Sequence, residues 1–298
     1  MGQQPVKVTA LRRSILDDLF KDFDHSRKIW IRKALEPLVW ISVHRFAEIA
    51  ARFDENVAYA GLREAVSQFL SPYVSGIDLV GREHIPEDGP LLIVSNHPGT
   101  YDSLAIAASL PRDDLHIIAA NFPLLQRLPA FSQRLIFTNP QRNPNPSVVR
   151  SSVRHLQSGG AVLIFPSGRV EPDPLILPGA LEAMHTWSTS LDLILRKVPQ
   201  TNVVVTIVSG MLSPIFLHNP LIRLWQGVRD PLAIAEITQV ITQMIFKKIV
   251  QIQPHISFNA PLTVEELGVK RGGIHPVIAE ARQLMVEHLS TFQRGERK

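Results

Sequence analysis

Two patterns of hydrophobic and polar positions divide the sequence. From about Val8 to Val74, apolar residues recur at intervals of three and four, which predicts two to four amphipathic helices. After Ser75, short apolar runs alternate with turn residues and helix-length segments, a pattern typical of an α/β fold. We therefore predict a small helical N-terminal domain at residues 1–75 and an α/β domain at residues 76–298. Its sheet is expected to be mixed, mostly parallel and flanked by helices.

The α/β part of the sequence contains apolar runs of strand length that end at turn residues. These runs are Ile77–Val80, Leu91–Val94, His116–Ala119, Leu135–Thr138, Ala161–Phe165, Val203–Val208 and His255–Phe258. The helix-length segments are Ser103–Ser109, Ser147–Gln157, Leu181–Leu195, Asp230–Gln253 and Pro276–Thr291. None of the apolar runs approaches the roughly 18–20 residues that a helix needs to cross a bilayer. The sequence therefore predicts buried strands rather than membrane spans.

Composition narrows the classes of function. The chain has 298 residues, of which 45% are hydrophobic and 19% charged, and it contains no cysteine. Disulfide scaffolds, thiolate zinc sites and cysteine nucleophiles are thereby excluded. A net charge of +4 without an arginine-rich tract argues against nucleic-acid binding and suits an anionic substrate or a lipid surface. The N-terminal residues lack the apolar core of a secretory signal, so we expect a cytoplasmic protein, at most peripheral on the inner face of the membrane.

A basic and aromatic segment in the helical region has two interpretations. Lys28–Lys33 combines basic residues with a tryptophan, and Trp40 and Phe46 follow it. Such a helix suits contact with a membrane interface. Packing within an ordinary helical domain explains the same pattern, and the sequence does not decide between the two.

A histidine and an aspartate frame the turn that follows the predicted strand Leu91–Val94. His97 and Asp102 lie five positions apart, between this strand and the helix predicted to begin near Ser103. Such a turn can fold the carboxylate back onto one imidazole nitrogen, which leaves the other nitrogen as a proton acceptor. The alternative is that Asp102 only caps the helix and His97 is a turn residue. Motifs for serine hydrolases, P-loops, dinucleotide binding and zinc proteases are missing from the sequence.

Basic residues accompany two further predicted strands. Arg169 follows Ala161–Phe165, and it would lie at the same edge of the sheet as His97 if their strands are parallel. A guanidinium there can bind a phosphate through two hydrogen bonds, although a surface arginine in a turn explains it as well. Arg134 and Arg142 flank the strand Leu135–Thr138 and offer a third basic position.

These motifs resemble the glycerolipid acyltransferase superfamily, which includes glycerol-3-phosphate and lysophosphatidate acyltransferases. Asn96-His97 with Asp102 matches the family block Asn-His-x-x-x-x-Asp. Phe165-Pro166-Ser167-Gly168-Arg169 resembles the later block Phe-Pro-Glu-Gly-Thr-Arg. The resemblance extends over roughly residues 77–214.

Some positions depart from the family pattern. Ser167 stands where the commonest members have glutamate, and the following Glu171-Pro172-Asp173-Pro174 is closer to soluble plastid-type glycerol-3-phosphate acyltransferases. Those enzymes carry a second basic residue where this chain has Val170 and Glu171. The middle block is displaced as well, because Pro140 intervenes before Arg142.

The resemblance implies a function and a set of site residues. It implies transfer of a fatty acyl group from acyl-CoA or acyl carrier protein to a hydroxyl of a glycerol-phosphate-type acceptor, with no metal and no cofactor. His97 would be the general base and Asp102 its partner, while backbone N–H groups near Gly99 to Asp102 would hold the oxyanion. The substrate-binding residues implied are Arg169, Arg142, Arg134, Ser167, Gly168 and Asn96.

Two other readings of the motifs stay open. The altered blocks are compatible with a non-catalytic protein that binds lipid or acyl carrier protein on the same scaffold. A hydrolase could instead use His97 and Asp102 to activate water against a thioester. The sequence leaves open the acceptor, the acyl chain length, the donor and the oligomeric state.

Overall fold

A computed structural model describes residues 6–24, 29–138, 145–218, 231–246, 250–268 and 273–293. The chain divides into two compact units. The first comprises Met1–Tyr73, Asn121–Gln133 and Ser213–Gln251, and the second comprises Val74–Ala120, Arg134–Leu212 and Ile252–Lys298. Arg142 and Lys28 lie outside the described residues. The division at residue 75 stays a prediction.

The described helices and strands have the following bounds, each kind numbered along the chain. The helices are α1 (Val8–Asp24), α2 (Ile29–Ala60), α3 (Leu62–Leu70), α4 (Asp102–Ser109), α5 (Pro123–Gln126), α6 (Pro129–Ser132), α7 (Pro146–Gln157), α8 (Ala180–Ala183), α9 (Ser190–Lys197), α10 (Pro231–Ile245) and α11 (His275–Phe292). The strands are β1 (Asp78–Val80), β2 (Leu91–Ser95), β3 (Leu115–Ala120), β4 (Leu135–Thr138), β5 (Ala161–Ile164), β6 (Asn202–Ser209), β7 (His255–Phe258) and β8 (Leu262–Thr263). Short 3₁₀ helices occupy Arg82–His84, Met184–Thr186 and Pro214–Phe216.

The first unit is helical and has its own apolar core. The core residues are Leu16, Leu19, Phe20, Val43 and Ile234, contributed by α1, α2 and α10. In α1, Leu16, Leu19 and Phe20 recur at helical spacing, which buries one face of that helix. None of the helices in the described part of the chain combines the length and the hydropathy that a membrane crossing needs. A peripheral location on the inner face of the membrane stays a prediction.

The second unit contains an eight-stranded sheet with the order β1-β7-β6-β2-β5-β3-β4, and β8 pairs with β6. Neighbouring strands are parallel except where β6 meets β7 and β8. The prediction of a mixed, mostly parallel sheet is therefore confirmed. Val94 of β2 lies opposite Ile164 of β5 and Val205 of β6. Because the three strands are parallel and in step, the turns after β2, β5 and β6 emerge at one edge.

Burial explains why the sequence shows continuous apolar runs here instead of alternation. All residues of β2 and β5 are buried, as are those of β6 after Asn202. Helices cover such central parallel strands on both faces, so both sets of side chains must be apolar. One core cluster joins these strands to residues of α7, α9 and α11, including Leu156, Ile194 and Leu284.

The prediction of one continuous helix over Leu181–Leu195 is wrong. The segment forms α8, a 3₁₀ helix and α9, with Trp187 extended between them (φ −63°, ψ 135°). A buried hydrogen bond from its indole explains the break and is described below. The predicted helix Asp230–Gln253 is shorter, since α10 ends at Ile245. The sequence also gave no indication of α5, α6 or β8.

Two glycines provide a test of close backbone packing in the second unit. Gly81 has φ +78°, and a Cβ there would lie 2.1 Å from the Phe258 carbonyl oxygen. Gly89 has φ +75° with open space around it. We expect Gly89→Ala to lower the free energy of unfolding by about 1–2 kcal/mol, the usual strain of a left-handed residue. Gly81→Ala should cost clearly more, because strain and clash combine. Urea denaturation measures both, and equal losses would contradict this packing.

Candidate active site

His97 and Asp102 lie in the turn between β2 and α4. His97 Nδ1 donates to Asp102 Oδ2 at 2.6 Å. The Asp102 side chain is fully buried, whereas that of His97 is 27% exposed. The pair is thus fixed from the inside and accessible on the imidazole side. With its proton on Nδ1, the ring can use Nε2 to accept a proton.

The Asp102 carboxylate is held by the turn as well as by the histidine. Its Oδ2 also accepts from the Gly99 backbone N–H at 3.2 Å, and Oδ1 accepts from the Ser103 N–H at 2.5 Å. Asp102 is the first residue of α4 and Tyr101 is the N-cap. Its carboxylate therefore satisfies a first-turn N–H and orients His97 at the same time.

Two of the backbone N–H groups that the sequence suggested as oxyanion donors have partners within the turn. The Gly99 N–H is taken by the Asp102 carboxylate, and the Asp102 N–H donates to the Gly99 carbonyl at 3.4 Å. Both groups serve the turn itself. These two N–H groups are therefore not available to an oxyanion, and the rest of the stretch from Gly99 to Asp102 stays a prediction.

The turn after β5 lies at the same edge of the sheet and contributes Phe165, Ser167, Gly168 and Arg169 to the site. The Phe165 ring stacks on the His97 imidazole, with ring centroids 4.5 Å apart and 24° between the planes. Ser167 Oγ donates to the Arg169 carbonyl at 2.8 Å, and Gly168 takes φ +65°. This tight turn leaves the Arg169 side chain exposed at the edge where His97 lies.

The other predicted binding residues have different surroundings. Asn96 is buried, and both ends of its amide pair with the Val208 backbone at 2.8 and 2.9 Å, so the side chain extends the pairing of β2 with β6. Arg134 precedes β4 and donates to the Asp113 carbonyl at 2.9 Å. In a parallel strand this position belongs to the amino-terminal edge, so the structure does not bring Arg134 to His97. Arg142 lies outside the described residues.

Glu171 belongs to the site, although its role was not predicted. Its backbone N–H donates to the His97 carbonyl at 2.7 Å, and its Oε2 accepts from the His97 N–H at 2.9 Å. Its Oε1 accepts from the Trp187 indole N–H at 2.8 Å. Burial raises the pKa of the Glu171 carboxyl, while hydrogen bonds from the His97 backbone N–H and the Trp187 indole act in the opposite direction. The sequence signal was an acidic residue directly before Pro172, two residues after Arg169 of the site turn.

Asp173, two residues further on, fixes the end of β6. Its Oδ2 accepts from the Met211 N–H at 2.8 Å and its Oδ1 from the Leu175 N–H at 3.1 Å. Burial raises the pKa of Asp173 to about 6, and backbone hydrogen bonds from Met211 and Leu175 partly offset this. Glu171 and Asp173 thus connect the turn after β5 to those after β2 and β6.

A mostly parallel α/β sheet with a His–Asp pair beyond the carboxyl ends of its parallel strands defines a class of site suited to general-base chemistry. Comparison with known proteins narrows this class. Residues 76–209 match the family model described as "Acyltransferase". The 1-acyl-sn-glycerol-3-phosphate acyltransferase of Bacillus subtilis (strain 168) is 27% identical over 110 residues, which cover 36% of this chain and 55% of the relative.

A solved structure is similar over a larger share of the chain. The 1-acyl-sn-glycerophosphate (LPA) acyltransferase PlsC from Thermotoga maritima aligns with 91% of this chain and 86% of its own, at a TM-score of 0.43 and 15% identity. The family match encloses the turns that carry His97, Asp102 and Arg169. Residues 76–209 thus match an acyltransferase family model, in agreement with the resemblance to the glycerolipid acyltransferase superfamily.

Asp173 predicts a pH dependence of stability. Its ordinary pKa of 3.8 is raised to about 6 in the folded protein. The folded state therefore binds this proton more tightly than the unfolded state, so the contribution is complete below pH 3.8 and is lost as the pH rises through 6. We expect the gap in unfolding free energy between wild type and Asp173→Asn to fall by up to about 3 kcal/mol between about pH 4 and pH 7.

Urea denaturation over this pH range measures the gap. Asp88→Asn is the matched control, because Asp88 is exposed. Its gap should not change in this way with pH. A gap for Asp173→Asn that is independent of pH would contradict the assignment.

Proposed function

We propose that the protein is an O-acyltransferase that moves a fatty acyl group from an acyl thioester, acyl-CoA or acyl carrier protein, to a hydroxyl of a glycerol-phosphate-type acceptor. The observation that carries this proposal is the 2.6 Å hydrogen bond between His97 and buried Asp102 within an acyltransferase-family domain. The relative from Bacillus subtilis is named as a 1-acyl-sn-glycerol-3-phosphate acyltransferase, which supports a phosphate-bearing acceptor. Neither a metal nor a cofactor takes part in the proposed reaction.

The chemistry begins with the acceptor hydroxyl. His97 Nε2 removes its proton while the hydroxyl oxygen attacks the thioester carbonyl, and the imidazolium that forms is stabilised by Asp102. When the tetrahedral intermediate collapses, the C–S bond breaks and the proton passes from His97 to the thiolate. The new C–O bond is formed directly, so the reaction needs no enzyme nucleophile.

Arg169 has the chemistry to recognise the acceptor. Its exposed guanidinium lies in the turn after β5, at the same sheet edge as His97. A guanidinium forms two parallel hydrogen bonds with a phosphate, which fixes orientation as well as affinity. We assign Arg169 to the acceptor phosphate. This role would set the hydroxyl at a defined distance from His97.

Product analysis tests the function as a whole. The protein is incubated with acyl-CoA and acyl carrier protein thioesters and a panel of phosphate-bearing and neutral alcohols. An acylated phosphate-bearing alcohol is expected. Free fatty acid as the sole product would instead identify a thioester hydrolase. Thioester binding without any product would identify a lipid-binding protein.

His97→Ala should abolish most of the activity. Loss of the general base is expected to lower kcat by about 10²–10⁴-fold. Initial-rate kinetics measure this loss, and a thermal melt checks that the variant is folded. His84→Ala is the matched control, since His84 is an exposed histidine of the same unit. Near-full activity of folded His97→Ala would refute the mechanism.

Arg169→Ala should weaken recognition of the acceptor selectively. Loss of a charge-assisted contact with phosphate is expected to raise the acceptor KM by about tenfold or more, with little change in the donor KM. Arg134→Ala provides the comparison, because Arg134 precedes β4 and lies at the amino-terminal edge of the sheet. It should leave both KM values unchanged. Equal effects of Arg169→Ala on donor and acceptor would indicate a structural role.

A further inference from the structure

We propose that Glu171 is a positioning residue, which holds the backbone of His97 so that the imidazole stays aligned with the acceptor hydroxyl. The inference rests on the proposed function, because it concerns how the general base is held. It gives a role to the Glu171-Pro172-Asp173-Pro174 motif, which the transfer chemistry itself does not use. Glu171 acts through His97 and is not assigned a contact with substrate.

The contact between the two residues is reciprocal. His97 donates its backbone N–H to Glu171 Oε2 at 2.9 Å and accepts the Glu171 backbone N–H at 2.7 Å. Both peptide groups of His97 are therefore bound to one residue on another turn. Asp102 holds only the ring. Rotation of the peptide planes around His97 would move the ring even with the Asp102 bond intact, so the two contacts restrain different motions.

Trp187 fixes the far side of the Glu171 carboxylate. The indole N–H donates to Oε1 at 2.8 Å, and Glu171 itself is 3% exposed. The neighbouring Ser188 N–H donates to the Pro166 carbonyl at 2.9 Å, in the turn that also carries Arg169. The break between α8 and α9 thus places a tryptophan where it can hold the carboxylate. A carboxylate fixed on both oxygens has little freedom to release His97.

The same loop is anchored at its other end. Asp173 is 1% exposed and accepts the Met211 N–H at 2.8 Å. Pro172 separates Asp173 from Glu171 and fixes the backbone φ between them. The loop therefore has one carboxylate on the turn after β2 and another on the turn after β6. Glu171 holds His97 against a segment that is itself fixed to the sheet.

The site requires a carboxylate rather than an amide. Glu171 accepts from two N–H donors that use different oxygens, His97 on Oε2 and Trp187 on Oε1. Glutamine has one acceptor oxygen, so its NH₂ group would face one of these donors. A negative charge near the imidazole also favours its protonated form. Glu171→Gln therefore removes both a hydrogen bond and a charge at nearly unchanged volume.

The experiment compares Glu171→Gln with Glu182→Gln, a change of an exposed glutamate in the same unit. Glu171→Gln is expected to lower kcat by about 10–100-fold, as small misplacements of a catalytic group do, with both KM values nearly unchanged. The acidic limb of the pH profile of kcat/KM should move to lower pH, because the protonated imidazole loses a nearby negative charge. Glu182→Gln should match the wild type.

A second variant separates positioning from general damage to the fold. Trp187→Phe removes the donor on Oε1, so in the double variant Glu171→Gln/Trp187→Phe the glutamine oxygen can accept from His97 while its NH₂ faces an apolar ring. The double variant should therefore regain part of the kcat that Glu171→Gln alone loses. If Trp187→Phe only damaged the fold, its effect would add to that of Glu171→Gln and lower kcat further. Wild-type kcat and pH profile for Glu171→Gln, or a loss confined to the acceptor KM, would overturn the proposal.

Hydrogen exchange of the His97 amide gives a readout that does not depend on activity. Glu171→Gln is expected to speed this exchange by at least about tenfold, whereas Glu182→Gln should not change it. Unchanged exchange at His97 would overturn the positioning role, even in a protein with full activity. If the wild type transfers no acyl group, the proposed function fails. The exchange rates then still decide whether Glu171 holds His97.

Discussion

A carboxylate that is buried away from water needs hydrogen-bond donors for its oxygens. This requirement governs the sheet edge where the site lies. Three buried carboxylates follow it there: Asp102, Glu171 and Asp173. Their donors come from segments that follow different strands, so filling the oxygens also fixes the turns after β2, β5 and β6 to one another. Without these bonds, the parallel sheet would still bring the turns to one edge, but it would not determine the orientation of His97.

The chemistry benefits from this division of labour. Asp102 is completely buried and holds the ring of His97, while Glu171 holds its backbone and Phe165 lies against its face. The histidine itself stays partly exposed, as a group that meets a substrate must. If His97 is the general base that we propose, contacts on several sides keep it in the productive orientation, and preorganisation of this kind contributes several orders of magnitude in rate. In the proposed reaction, direct transfer to the acceptor needs no enzyme nucleophile, and the chain contains no cysteine that could serve as one.

Much of the fold and part of the site could be predicted from sequence. Apolar runs mark β1 to β7 correctly. In the central strands these runs are continuous, because both faces are covered and every side chain has to be apolar. The pairing of His97 with Asp102 was accessible too, because a contact over five residues depends only on local turn geometry. The broken helix at Trp187 was not, since periodicity reports the apolar face of a segment and not a hydrogen bond to a distant loop.

The sequence by itself determined β1 to β7, the local His–Asp turn and the motifs that the acyltransferase family shares. The tertiary structure decided which residues reach this turn from elsewhere in the chain. It set Arg134 at the amino-terminal edge of the sheet, used the Asn96 amide to join β2 to β6, and brought Glu171 to the backbone of His97. The physical reason is the distance along the chain over which each kind of interaction acts. Hydrophobic periodicity and turn chemistry act between near neighbours, whereas a buried carboxylate finds its donors only after the strands have aligned.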